Sequence, residues 1–288
     1  MRAAARHGEL RVRRRIRAGV NKLAPSVRAM VLALQYFTRV PMPRRVLDWT
    51  GFDETLQRAS LAHFPGAGWV VGIVGAGFYA AMLLLLPPSS FAHMAAAVVS
   101  TIATVLLTGA LHEDGLADTA DGLAAGSAQQ ALEVMKDSRL GPSGALAVIL
   151  ALLAKIFLLS SVGIGAGWVA AIAALMGGHV VSRGLSLGIV ATLVHVGHAA
   201  TSKSLPVARQ IGRRGLLAAA IWCVAAWMCT AVLVSTAAAA VALILSLIAL
   251  WGVRLLLARR LAGFTGDCLG ATQQLCEIAF YLGMAVAM

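Results

Sequence analysis

The sequence predicts an all-α, polytopic integral membrane bundle of about seven transmembrane helices. Composition is the first reason. The 288 residues are 59% hydrophobic and only 12% charged, with a mean hydropathy of +0.83, whereas a soluble domain carries about 25% charged residues. The second is a set of seven apolar segments, near 66–86, 91–111, 144–162, 164–182, 216–234, 236–253 and 272–288, each long enough for the roughly 20 residues a bilayer crossing needs. The third is the alternation of the connections. Those near 87–90, 163 and 235 are short and uncharged, and those at 112–143, 183–215 and 254–271 are long and charged.

A basic tail, residues 1–27, precedes a single transmembrane domain, residues 28–288. The net charge of +12 is concentrated at that start, which includes the run Arg11 to Arg17. In so apolar a chain this run predicts a cytoplasmic tail near anionic headgroups and not nucleic-acid binding. The segment 27–40 is too short and too interrupted, by Arg28 and Arg39, to be a crossing; it is expected at the interface, ended by Pro41 and Pro43. With seven crossings, the long charged connections share one face with the tail, the cytoplasmic face under the positive-inside rule. The acidic stretch described next, Arg183, the basic loop Lys203 to Arg214 and Asp267 can therefore converge. Ala and Gly are abundant, which suits close helix packing and permits dimers or larger rings. Cys223, Cys229, Cys268 and Cys276 form no CxxC pair and read as small apolar residues.

The stretch LHEDGLADTADGLA, Leu111 to Ala124, places Glu113, Asp114, Asp118 and Asp121 within nine positions of a chain that has only 12 acidic residues. On a helix Asp114, Asp118 and Asp121 fall within about 60° of one another. Carboxylates so arranged repel, and a divalent cation is the simplest group to hold them. Hard oxygen donors without thiolates or paired histidines favour Mg²⁺ or Mn²⁺ over Zn²⁺. A solvated loop that merely sets topology is the competing reading, and acidic residues contribute little to topology. Gly115 and Gly122 would let a ligand or another helix approach closely.

Two further stretches carry polar chemistry. MKDSRLGPSG, Met135 to Gly144, sets Lys136, Asp137, Ser138 and Arg139 before a Gly/Pro turn, equipment suited to a phosphate. GFTGDCLGATQQ, Gly263 to Gln274, places Asp267 before a Gly-rich helix start, where it can complete a metal site. Among isolated polar residues, Lys155 sits mid-segment and needs a partner or a route to the surface. His179 and Arg183 stand four apart at a helix end.

These three stretches, with FTRVPMP (Phe37 to Pro43) and HFPGAGWVVG (His63 to Gly72), resemble in order and spacing the cobalamin synthase family, the adenosylcobinamide-GDP ribazoletransferases. The likeness runs over about residues 28–288. It departs from the family pattern at Pro142-Ser143, where Thr or Ser followed by an aromatic residue is more usual, and the basic tail is longer than usual. The resemblance implies a multi-pass enzyme of the bacterial inner membrane that uses Mg²⁺ with its site facing the cytoplasm. It would join adenosylcobinamide-GDP to α-ribazole or its 5′-phosphate, releasing GMP, late in cobalamin (vitamin B12) assembly. Association with other cobalamin-pathway enzymes would accord with membrane residence.

In that reaction Asp114 and Asp118 would bind the metal, and Asp121 would be a further ligand or the base for the attacking hydroxyl. Lys136 and Arg139 would hold phosphate oxygens, and Asp137 and Asp267 are further metal candidates. A CDP-alcohol phosphotransferase would use similar chemistry. Its signature needs an Ala-Arg pair after the Asp-Gly, and here Asp114-Gly115 is followed by Leu116-Ala117-Asp118. A divalent-cation transporter is a different class, with acids along an ion path, but these acids gather at one face.

Overall fold

The computed structural model describes residues 25–137, 139–197 and 211–288. Most of the basic tail, Ser138, and residues 198–210, which include much of the basic loop Lys203 to Arg214, lie outside the described residues. Among the described residues the chain is helical with no β-strand; an isolated parallel bridge joins His195 to Phe264.

Residues 25–37 form α1, which buries Ala29, Leu32, Ala33 and Phe37. This segment, expected at the interface, is a helix packed on the bundle, with Phe37 against Phe64 at a ring separation of 4.1 Å. Two short helices follow, α2 (Arg44–Thr50) and α3 (Glu54–Leu61), the latter capped by the Asp53 carboxylate accepting from the Leu56 amide. The apolar helices α4 (Phe64–Leu85) and α5 (Ser90–Thr108) come next, joined through Ser89, whose side chain caps α5. Gly109 and Ala110 both take left-handed backbone (φ 66° and 59°), ending α5 and starting α6 (Leu111–Ala124). Then come α7 (Ala128–Val134), α8 (Pro142–Thr192), α9 (Arg213–Leu233), α10 (Thr236–Leu261) and α11 (Gly266–Val286).

Among the described residues five helices, α4, α5, α8, α9 and α10, are long and apolar enough to cross a membrane. The 51-residue α8 is broken at Gly167, whose φ of 85° only glycine adopts readily. The break is a reversal. Lys155 and His179 lie twelve residues to either side of Gly167, and both reach the carboxylate of Glu277, at 2.8 and 3.2 Å. A straight helix would hold them about 36 Å apart. α8 is thus a hairpin supplying two of the expected crossings, and its turn falls four residues beyond the expected position near 163. A cavity of ≈ 340 Å³ lined by Leu83, Ser89, His93, Ile164 and Trp168 shows that this turn shares one end of the bundle with the α4–α5 connection.

The opposite end gathers α6, α7, the start of α8 and the α10–α11 connection, as the alternation of loops predicts. There the Val196 amide donates to the Phe264 carbonyl and the Phe264 amide to that of Val194. The last helix, α11, is the axis of the structure. It packs against both halves of α8, against α10 and against α6, and its Gln273, Gln274, Glu277, Phe280 and Tyr281 are buried. Small and polar residues make α11 less apolar than α8 and α10, and its buried polar side chains find partners inside the bundle.

Candidate functional site

The acidic stretch folds as the helix α6, as its spacing predicts. Successive side chains step about 100° around a helix, and the step from Glu113 to Asp114 separates inside from outside. Glu113 is buried, Asp114 is exposed, and Asp118 and Asp121 are half-buried.

Two glycines fix where α6 meets α11. A Cβ on Gly115 would lie 2.7 Å from the Asp267 carbonyl oxygen, and one on Gly270 would lie 3.1 Å from that of His112. The backbones therefore touch, and Asp267, in the first turn of α11, is brought beside Asp114 and Asp118. Thr265 Oγ1 donates to Asp267 Oδ2 at 3.2 Å, orienting that carboxylate. We expect Gly115→Ala to push α6 from α11 at a cost of about 1–3 kcal/mol, read as a lowered thermal unfolding midpoint of the detergent-solubilised protein.

Partial burial and the charges of Asp114, Asp267 and Asp121 push the Asp118 carboxyl up to about 7. All these influences act in the same direction, so the cluster holds more negative charge than its surroundings balance. Asp114, Asp118 and Asp267 fit a hard divalent cation in donor type and charge. Among the described residues, no three His, Cys, Asp or Glu side chains converge tightly enough to hold an ion as placed.

Asp121 has a different setting. Its Oδ2 accepts from the Gly141 amide and its Oδ1 from the Gly144 amide, both at 2.7 Å. It thereby supplies the first turn of α8 with the cap that Gly141 lacks, and a methyl group at either glycine would collide with it. Asp121→Ala should destabilise the protein by about 1–2 kcal/mol, measurable as a shift in the unfolding midpoint.

The residues expected to hold phosphate lie on the connection that Asp121 anchors. Lys136 is exposed. Arg139, 87% exposed, pairs with Asp137 at 2.5 Å, and that pairing takes the Asp137 carboxyl down to about 2. The structure therefore brings Asp114, Asp118 and Asp267 together, ties Asp121 to α8, and pairs Asp137 with Arg139. From α10, Arg260 Nη2 donates to the carbonyls of Leu123 and Ala125, both at 2.8 Å, tethering the C-terminal end of α6.

Sequence reasoning missed the polar core behind α6. Its centre is Glu277, fully buried on α11. Glu277 Oε1 accepts from Lys155 Nζ at 2.8 Å and from the Tyr281 hydroxyl at 2.9 Å. Glu277 Oε2 accepts from Gln273 Nε2 at 2.6 Å and lies 3.2 Å from His179 Nδ1. Gln273 Nε2 also donates to Ser182 Oγ at 3.0 Å. Arg183 Nη1 donates to the His179 carbonyl at 2.8 Å, and its guanidinium lies 5.7 Å from the Phe64 ring centroid. Gln273, Gln274 and Glu277 were the overlooked members, and Glu113, read with the acidic stretch, turns inward to join them. Their signal was a Gln pair followed by Glu277, with Gln273 one turn before it, inside a segment otherwise read as a crossing.

The chain matches the sequence profile of the family described as cobalamin-5-phosphate synthase over residues 29–285. A protein of Polaromonas sp. (strain JS666 / ATCC BAA-500), named adenosylcobinamide-GDP ribazoletransferase, is 48% identical over 283 residues, 93% of this chain and 100% of its own length. Proteins of the same name from Polaromonas naphthalenivorans and Albidiferax ferrireducens are 48% and 46% identical, each over 91% of this chain and 99% of their own length. No solved structure matches.

Proposed function

We propose a function from the premise that this chain belongs to the cobalamin-5-phosphate synthase family and is a membrane-embedded transferase of cobalamin biosynthesis. The proposed reaction transfers adenosylcobinamide phosphate from adenosylcobinamide-GDP to α-ribazole or its 5′-phosphate, with GMP as the second product. A ribazole hydroxyl oxygen bonds to the phosphorus attached to cobinamide, the bridging P–O bond of the diphosphate breaks, and GMP leaves with the bonding electrons. The hydroxyl proton passes to a carboxylate.

The observation that carries this reading is the α6–α11 crossing, which assembles Asp114, Asp118 and Asp267 at one end of the bundle. Asp114 and Asp267 would hold Mg²⁺, and Asp118, flanked by both, would accept the proton. Bound there, Mg²⁺ would neutralise diphosphate oxygens and stabilise the departing phosphate. Lys136 and Arg139, exposed beside the start of α8, would meet substrate phosphates as they arrive. Asp121 keeps that segment against α6. In this proposal the acidic end faces the cytoplasm from the bacterial inner membrane, where water-soluble nucleotide substrates reach it.

The test is to incubate purified protein with Mg²⁺, adenosylcobinamide-GDP and α-ribazole and to follow GMP and cobalamin. Stoichiometric formation of both is expected. Absence of both from folded protein, or equal turnover of a CDP-activated donor, would overturn the assignment.

A further inference from the structure

Gln274 occupies a position at which its amide can point only one way. Its Oε1 accepts from Lys155 Nζ at 3.2 Å, and its Nε2 donates to Glu113 Oε1 at 2.9 Å and to Gln273 Oε1 at 3.0 Å. Turned over, the amide would set its own donors against the Lys155 ammonium and its oxygen against the Glu113 carboxylate. The Lys155 cation thus dictates the direction of the Gln274 amide, and the amide in turn presents its N–H groups to α6.

Glu113 is the residue on α6 that receives this contact. It is 7% exposed, and its other oxygen, Oε2, has no hydrogen-bond partner among the described residues. A buried carboxylate held by one side-chain hydrogen bond depends on that bond for its position. Glu113 also immediately precedes Asp114, so the rotation of α6 that keeps Glu113 on Gln274 is the rotation that turns Asp114 outward. The glycine crossing at Gly115 and Gly270 sets how close α6 comes to α11. The roll of α6 is held by side-chain contacts: Asp121 on the Gly141 and Gly144 amides and Arg260 on the Leu123 and Ala125 carbonyls hold its C-terminal end, and Glu113 on Gln274 holds its N-terminal end.

We propose that Glu113 and Gln274 form a positioning bridge that sets the rotation of α6, and with it the mutual placement of Asp114, Asp118 and Asp267. The bridge links the buried charges at Lys155 and Glu277 to the acidic cluster, on the opposite side of the same helix. This inference rests on the proposed metal role of that cluster, and the bridge residues do not themselves touch metal or substrate.

The test uses the full-length protein in lipid nanodiscs without substrates, with Mn²⁺ as the probe. Free Mn²⁺ is titrated by electron paramagnetic resonance, and amide hydrogen exchange of α6 is followed in parallel. Glu113→Ala should weaken Mn²⁺ binding about tenfold or more, the usual scale for losing a residue that orients a metal ligand. Gln274→Glu should do the same, because it places two carboxylates face to face. The double variant Glu113→Gln with Gln274→Glu restores a donor opposite an acceptor across the bridge and keeps a partner for Lys155, while the Gln273 Oε1 contact stays lost in the double variant as in Gln274→Glu. It should recover affinity to within about threefold of wild type, with α6 protection restored.

Single variants that bind Mn²⁺ as wild type does would overturn the proposal, as would a double variant no better than the weaker single. Asp114→Asn serves as the control that removes a ligand without touching the bridge. If the wild-type protein binds no Mn²⁺, the metal reading fails by itself. The exchange arm then decides separately whether the bridge holds α6, and unchanged protection in both single variants would sink it.

Discussion

Glu277→Leu should destabilise the protein by about 3–5 kcal/mol, the cost of removing one partner from a buried ion pair. Lys155 and Glu277 are 4% and 0% exposed, and the leucine would leave the ammonium opposite hydrocarbon. The loss extends past one pair, since His179, Gln273 and Tyr281 also converge on that carboxylate. Lys155→Met combined with Glu277→Leu should be less harmful than Glu277→Leu alone, because it removes the stranded charge. It should still fall short of wild type, because the Tyr281 hydroxyl and one Gln273 N–H lose their acceptor and Gln274 Oε1 loses its donor. Thermal unfolding in detergent, followed by circular dichroism, distinguishes these cases. A single variant as stable as wild type would show that the polar core carries no net stabilisation.

The second large effect concerns activity. Asp114→Asn and Asp118→Asn should each reduce GMP release by about 10²–10³-fold, the scale for removing one preorganised charge from a transition-state site. Asp114 is exposed and Asp118 half-buried, so neither change should cost more than about 0.5–1 kcal/mol of stability. Asp118→Asn should even ease the crowding of like charges that raises that carboxyl. Loss of turnover together with an unchanged unfolding midpoint is the expected signature. Full activity in both variants would refute the assigned roles of these carboxylates. Mg²⁺ removal should mimic them, with activity returning on readdition.

The architecture was legible in the sequence because membrane helices announce themselves locally, by length and apolarity. The acidic helix was legible for the same reason, since the spacing of Asp114, Asp118 and Asp121 is a property of one segment. Contacts between distant segments were less so. Gly115 signalled a close approach, yet nothing near it in the chain identifies Gly270 as the partner. Lys155 signalled the need for a counter-charge, but Glu277 was hidden within a segment whose overall hydropathy made it read as a simple crossing.

Asp121 illustrates the opposite difficulty. Its position on the face of Asp114 and Asp118 was read correctly, but a helical face does not tell which neighbour will claim a side chain. The stretch Met135 to Gly144 was read as suited to a phosphate, and in the fold its Gly141 and Gly144 amides serve Asp121. Asp137 and Arg139, two residues apart, satisfy each other at the surface, a local pairing that the phosphate reading passed over.

The reversal at Gly167 bears on how the chain is made. Lys155 enters the bilayer with the α8 hairpin, whereas Glu277 is synthesised about 120 residues later, roughly 6–24 s at ordinary translation rates. Throughout that interval the ammonium has no anion on α11 to meet, and a cation at the middle of a lone helix costs roughly 2.5–3.5 kcal/mol on insertion scales. The lysine stem is long enough to carry its charge toward the headgroups while it waits. The pairing of Lys155 with Glu277 is therefore expected to form only after the last helix has been made. A nascent chain arrested before α11 would expose that unpaired charge to the machinery that clears unassembled membrane proteins.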